Sequence, residues 1–184
     1  IEVPTDKDGM IVDELEKILK TTKNVKLIYT IPTFQNPTGV TWSIERRKGV
    51  AELADKYNKI VIEDNPYGEL RFKGENLPSL KSFDECGNVV CLGTFSKIFC
   101  PGYRIAWVAA HEEIIEKLVV IKQSTDLQCN TIAQMDIAKY LELNDIDEHI
   151  ETIRELYKKR CDLAVETMEK EFPENVKFNR PDGG

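Results

Sequence analysis

Lys97 sits in a segment whose neighbours could bind an oxyanion: Thr94-Phe95-Ser96-Lys97-Ile98-Phe99-Cys100-Pro101-Gly102-Tyr103-Arg104. The Thr94 and Ser96 hydroxyls stand on alternate positions and can donate to a phosphate. Arg104, beyond a Pro-Gly turn, offers the planar fork of donors that matches the same dianion. Apolar Ile98 and Phe99 suggest a partly desolvated amine, a setting that favours its neutral, nucleophilic form. Asp64 closes the apolar run Ile60-Val61-Ile62 within Ile62-Glu63-Asp64-Asn65-Pro66-Tyr67-Gly68. A carboxylate there is costly to bury unless it meets a cation or hydrogen-bond donors, or caps the turn before Pro66. Glu63 alternates to the other face and is the weaker candidate. Tyr67 could aim its hydroxyl at a ligand or simply pack. Asn36, in Thr33-Phe34-Gln35-Asn36-Pro37-Thr38-Gly39, belongs to a common turn string whose interest lies in its place in the chain.

These residue types match what pyridoxal 5'-phosphate (PLP) asks of a protein. It needs a lysine for a Schiff base, an acid to keep the pyridine nitrogen protonated, donors to its phenolate oxygen, and a cationic cradle for its phosphate. Lys97, Asp64, Asn36 with Tyr67, and Thr94 with Ser96 and Arg104 are the respective candidates.

The elements that must position them alternate. Val25–Ile31 is a β-branched run bounded by Asn24 and Pro32, which reads as a buried strand. Ser43 can cap a helix running through RRKGVAELADKYN, with Glu45 in its first turn and an apolar face at Val50, Leu53, Ala54 and Tyr57. Lys59–Glu63, Asn88–Leu92 and Arg104–Ala109 read as further strands. Helices are expected at VDELEKILK, Glu112–Lys122, Thr131–Leu141 and, as one long element, Asp147–Phe172. The alternation predicts an α/β fold of three layers, α/β/α, with a mainly parallel sheet. Ligands in such sheets bind beyond the carboxyl ends of the strands. Asn36, Asp64 and the Thr94–Lys97 segment follow the first three strands in that order.

Gln35-Asn36-Pro37-Thr38-Gly39, then Asp64-Asn65-Pro66-Tyr67, then Ser96-Lys97 with Pro101-Gly102-Tyr103-Arg104 resemble the class I/II aminotransferases of PLP fold type I. The resemblance covers essentially the whole chain and implies an aspartate aminotransferase-like large domain. It implies Lys97 as the Schiff-base lysine and proton shuttle, and Asp64 as partner of the pyridinium nitrogen. Asn36 and Tyr67 would donate to the phenolate oxygen, and Thr94, Ser96 and Arg104 would hold the phosphate. Thr94 replaces a serine frequent in the family and keeps the hydroxyl. The stretch Glu63–Phe72 with Gly93–Lys97 is most similar to the 2-aminoadipate and kynurenine aminotransferase branch, which uses 2-oxoglutarate as amino acceptor. The family also implies a homodimer, with Gln123–Asn130 approaching the partner.

On this reading residues 1–172 are the later part of the large domain, ending in a connector helix, and 173–184 begin a small domain. Both ends look truncated. The family's remaining phosphate turn, ring-stacking aromatic and carboxylate-binding arginine fall outside the chain, so little transaminase activity is expected from these residues alone. Two rivals use the same scaffold: the ligand-sensing domain of a MocR-type transcription regulator, and a PLP-dependent lyase or decarboxylase. Regulators of that type usually carry Phe at the place of Asn36 and Asp-Tyr-Asp after the strand acid, so Asn36 and Asn65-Pro66-Tyr67 favour the enzyme.

The resemblance implies amino acid and 2-oxo acid substrates, and composition argues against other classes of partner. The 184 residues are 41% hydrophobic and 31% charged, with a formal net charge of −7. Such an acidic balance argues against nucleic acid, whose backbone is bound by clustered Lys and Arg. No apolar run approaches a membrane span, and no signal-peptide pattern opens the chain. The five cysteines Cys86, Cys91, Cys100, Cys129 and Cys161 form no C-x-x-C pair, and His111 and His149 lack metal-ligand spacing. A cytoplasmic location with reduced thiols and no metal is expected. Cys100 could line the Lys97 site or serve as a small core hydrophobe.

Overall fold

The computed structural model describes residues 1–184. It opens with a tight hairpin, β1 (Thr5–Asp6) pairing antiparallel with β2 (Gly9–Met10). The Asp6 carboxylate accepts from the Asp8 N–H at 2.9 Å and closes the turn, a local bond typical of aspartate. Gly9, at φ 112°, lies so close to Trp42 that a Cβ would meet its ring at 2.4 Å, so a glycine is required there.

Helix α1 (Val12–Thr21) buries Leu15 and Leu19. Strand β3 (Leu27–Thr30), helix α2 (Ile44–Tyr57) and strand β4 (Ile60–Asp64) then form a βαβ unit. Parallel strands need such a crossover, because a tight turn cannot bring the chain back in the same direction. Helix α2 starts where expected: the Ser43 side chain accepts from the Arg46 N–H at 3.3 Å. It ends at Asn58, which takes the left-handed conformation at φ 48°. Strand β5 (Val89–Thr94) pairs parallel with β4, and β6 (Ala106–Ala109) pairs antiparallel with β5. The order is β3-β4-β5-β6, so the sheet is mainly parallel with an antiparallel edge. Strand β6 starts two residues later than Arg104 because Arg104 itself is left-handed, at φ 56°.

Register sorts the side chains by face, since residues opposite one another in neighbouring strands point the same way. Ile28 is paired with Val61, and Val61 with Val89; Thr30 with Glu63, and Glu63 with Cys91. All six are buried, and the apolar Ile28, Val61 and Val89 share a core with Leu15, Leu19, Val50, Ala51, Ala54 and Leu80. Each fully buried Val or Leu contributes about 1.5–3 kcal/mol. The opposite face carries Tyr29, Ile62, Asp64, Leu92 and Thr94.

Two charged side chains lie in the covered layer. Glu63 is 0% exposed and accepts from the backbone N–H groups of Leu80 and Lys81, each at 2.8 Å. Arg47 is 1% exposed and donates to Trp42 O, Pro78 O, Pro32 O and Thr33 Oγ1 at 2.9–3.2 Å. Burial pushes the Arg47 pKa down, and the charge of Glu63 opposes that shift. The pair ties the strand β4 layer to Pro32 and Thr33, just before the Asn36 loop.

Helices α3 (Glu112–Thr125), α4 (Thr131–Leu143) and α5 (Ile146–Glu171) follow. Their starts are capped by His111, Asn130 and Asp145. They bury few residues, namely Ala133, Ile137, Ile150 and Val165, and leave Val120, Ile121, Ile132 and Met135 exposed. The final residues return to the segment after β4: Asp182 O accepts from the N–H groups of Phe72 and Lys73 at 3.1 Å, and the Gly184 N–H donates to Leu70 O at 3.1 Å. A Cβ on Gly183 would meet the Phe34 ring at 2.3 Å, so this close approach depends on glycine. No helix is long and apolar enough to cross a membrane.

Candidate active site

The oxyanion-binding candidates come together through the turn after β5. Thr94 ends the strand, donates through its hydroxyl to Ile105 O at 3.3 Å and accepts from the Ser96 N–H at 3.1 Å. The chain then loops through Lys97 and a single helical turn at Pro101–Tyr103. The left-handed Arg104 swings its guanidinium back, and Nη1 donates to Ser96 Oγ at 3.4 Å and to Pro101 O at 3.2 Å. Arg104 has no carboxylate partner in the chain, so its charge remains available to an anion.

Lys97 lies in the middle of this turn and is exposed, not partly desolvated. The apolar neighbours do not cover it. Phe99 turns away to stack on Tyr140 at 4.6 Å between ring centroids and on Tyr103 at 5.7 Å. Lys97 forms no salt bridge, and its Nζ stands 5.9 Å from the centroid of the Tyr67 ring. Tyr67 is half-buried and meets the lysine with its ring face. Cys100 is also half-buried, short of the fully buried role of a core residue.

Asp64 ends β4 on the same sheet face as Thr94. Its Oδ2 accepts a hydrogen bond from the Tyr29 hydroxyl at 2.6 Å. That bond, followed by burial, pushes the Tyr29 pKa up to about 12. Tyr29 was not among the residues expected from the sequence. The signal that finds it is the register: Tyr29 pairs with Ile62, so Asp64, two residues on, points to the same face.

Asn36 is exposed on the loop after β3, and its side chain has no hydrogen-bond partner in the chain. The loop that presents it is well tied. The Gln35 N–H donates to Val40 O at 2.9 Å, and Gln35 Oε1 accepts from the Thr38 N–H at 3.1 Å and from its hydroxyl at 2.5 Å. The structure therefore groups Thr94, Ser96 and Arg104 by direct bonds and places Lys97 on the same turn. Lys97 reaches Tyr67, while Asp64 is bonded to Tyr29 and Asn36 stands by itself. A concavity of about 660 Å³ runs along the β3 edge; it includes Tyr29 but none of Asp64, Lys97 and Arg104.

Together these features define an α/β protein with an amine, a carboxylate, and a guanidinium beside two hydroxyls beyond the ends of parallel strands. The chain belongs to the aminotransferase class I and II family, whose model matches residues 1–184. Aromatic-amino-acid aminotransferase 1 of Thermococcus litoralis is 50% identical over 188 aligned residues, covering 100% of this chain and 45% of the relative. Kynurenine aminotransferase of Pyrococcus horikoshii, solved in complex with PMP, with KYN as substrates and KYA as products, superposes with a TM-score of 0.96 at 46% identity. That match covers 100% of this chain and 46% of the other. An uncharacterized HTH-type transcriptional regulator of Bacillus subtilis, YisV, is 39% identical over 159 residues, which is 86% of this chain and 33% of that protein. The chain spans between a third and about half of the length of the curated relatives it matches.

Proposed function

We propose that this chain carries the cofactor-holding part of a PLP-dependent aminotransferase, which transfers an amino group between an amino acid and a 2-oxo acid. The observation behind this reading is the turn that joins Ser96 to Arg104: it carries an unpaired amine and an unpaired guanidinium, with hydroxyls beside the latter. That donor set fits the cofactor. A phosphate dianion matches Arg104, Ser96 and Thr94 through charge-assisted bonds, and a pyridinium N–H matches the carboxylate of Asp64.

When bound, PLP supplies an electron sink for the pair left behind when a bond to the substrate Cα breaks. Lys97 ties the cofactor covalently to the chain and moves the proton between the substrate Cα and the cofactor C4′. Asp64 holds the proton on the pyridine nitrogen. Asn36 and Tyr67 donate to the phenolate oxygen, and Thr94, Ser96 and Arg104 fix the phosphate. The relatives named above support aromatic or kynurenine-like donors; a 2-aminoadipate-like donor and 2-oxoglutarate as acceptor follow from the branch that Glu63–Phe72 and Gly93–Lys97 resemble.

The same reading assigns residues 1–172 to the large domain and 173–184 to the start of a second, smaller one. It includes a homodimer, supported by the exposed Val120, Ile121 and Leu127 around the end of α3. It also includes a cytoplasmic location, supported by five free cysteines.

Reduction of the PLP-loaded, full-length protein with borohydride, followed by peptide mapping, tests the central assignment. A pyridoxyl group on Lys97 is the expected result; its absence from Lys97 overturns the reading. The similarity to YisV supports a second reading, a sensing domain that binds PLP without turnover. Transfer of the amino group from a panel of amino acids to 2-oxoglutarate separates the two. Release of ammonia or carbon dioxide instead would assign a lyase or decarboxylase.

A further inference from the structure

We propose that Tyr29 is a positioning residue for Asp64, orienting the carboxylate that would face the cofactor ring and keeping the proton between them on the ring nitrogen. This rests on the assignment of Asp64 to the pyridine nitrogen. The Tyr29 hydroxyl is the only group of the chain bonded to the Asp64 carboxylate, at 2.6 Å from Oδ2, within the range of a charge-assisted O–H to carboxylate bond. It leaves Oδ1 free for a second donor.

The bond exists for the sake of the aspartate. Tyr29 is 54% exposed, so water alone could satisfy its hydroxyl. Strand register, not chance contact, brings the two together: Tyr29 and Asp64 project from adjacent parallel strands onto one face, one pleat apart. The hydroxyl also keeps its proton, since the bond to Asp64 and then burial push its pKa to about 12, so it acts as a donor at any physiological pH.

Two effects follow. Donation to Oδ2 limits the carboxylate rotation and leaves Oδ1 as the oxygen that would meet the ring nitrogen. It also sets a donor against the anionic carboxylate, so a proton shared between Asp64 and the ring nitrogen would stay on nitrogen, where it would strengthen the electron sink. A residue with a merely structural role would alter melting temperature or KM and leave that proton where it is.

The test uses the full-length holoenzyme loaded with PLP carrying nitrogen-15 in its ring. In Tyr29→Phe, which keeps the ring and removes the hydroxyl, the nitrogen resonance is expected to move from the protonated toward the neutral pyridine position. The value of kcat should fall roughly tenfold, the worth of one charge-assisted hydrogen bond, with KM little changed. An unaltered nitrogen resonance in Tyr29→Phe overturns the proposal. A second measurement needs no cofactor: phenolate absorbance of the apo chain should show one tyrosine near 12 that Asp64→Asn brings down toward 10 and Tyr29→Phe removes. Failure of that shift also overturns it. Failure of Lys97 labelling in the wild type would instead bring down the cofactor reading, so the two failures are told apart.

Discussion

Glu63 and Asp64 are adjacent carboxylates in β4 that serve opposite faces of the sheet. Glu63 accepts from the Leu80 and Lys81 N–H groups inside the core, and Asp64 accepts from the Tyr29 hydroxyl on the open face. One residue of offset separates a structural acid from a candidate catalytic one. Asp64→Asn is therefore expected to leave the melting temperature near that of the wild type and to lower kcat about 10²–10³-fold. Glu63→Ala should do the reverse in the cofactor-free chain. It strands two buried N–H groups and removes the charge that faces Arg47, at a cost of about 3 kcal/mol in urea unfolding.

Arg104 should control cofactor affinity. Arg104→Ala removes the unpaired guanidinium beside Ser96 and is expected to weaken PLP binding about 10–100-fold, the worth of its charge-assisted bonds. Arg104→Lys keeps the charge and loses the fork, so partial recovery is expected. Fluorescence or absorbance titration of the apo protein with PLP measures both. Equal affinity in all three proteins would remove Arg104 from the phosphate site.

Arg47 should matter to the Asn36 loop without touching it. Its guanidinium holds Pro32 O and Thr33 Oγ1 on one side and Pro78 O on the other. Arg47→Ala strips Trp42 O, Pro32 O, Pro78 O and Thr33 Oγ1 of their shared donor and is expected to destabilise the chain by about 3 kcal/mol. Amide hydrogen exchange should also speed up at Gln35 and Gly39, whose bonds close that loop.

Acid should act through Asp84. Burial raises its pKa, but the Lys81 ammonium and the Val89 and Asn88 N–H groups together outweigh that and hold it below the ordinary 3.8. A carboxyl with a depressed folded value contributes fully above its unfolded value and loses that contribution as pH falls through the folded one. Asp84→Asn should thus be less stable than wild type at pH 7, by about 1–3 kcal/mol. Urea midpoints of the two should converge as the pH is brought well below 4.

Much of this was legible in the residues themselves. Ser43, Asn58 and the β-branched runs mark the βαβ unit because caps and buried strands leave local signatures. Asp64, Lys97 and Arg104 could be named because their types and order match one chemistry. Other features depend on pairings that one sequence does not display. Tyr29 became visible only once Leu27–Thr30 was in register with Ile60–Glu63. Arg47 looked like one more polar residue of an amphipathic helix, yet it is buried against carbonyls of two distant loops. The exposure of Lys97 was missed because the apolar neighbour Phe99 spends its surface on Tyr140 and Tyr103 instead.

The return of Asp182–Gly184 to Leu70–Lys73 has a consequence for folding order. It fastens the last residues to a segment laid down before β5, enclosing β5, β6 and helices α3 to α5 in one loop of chain. Closing so long a loop costs entropy that no local contact repays in advance, although the cost grows only slowly with length. Non-local closures of this kind form late. Helices α3 to α5 should accordingly assemble before this clasp shuts, and the clasp should be among the first contacts to open.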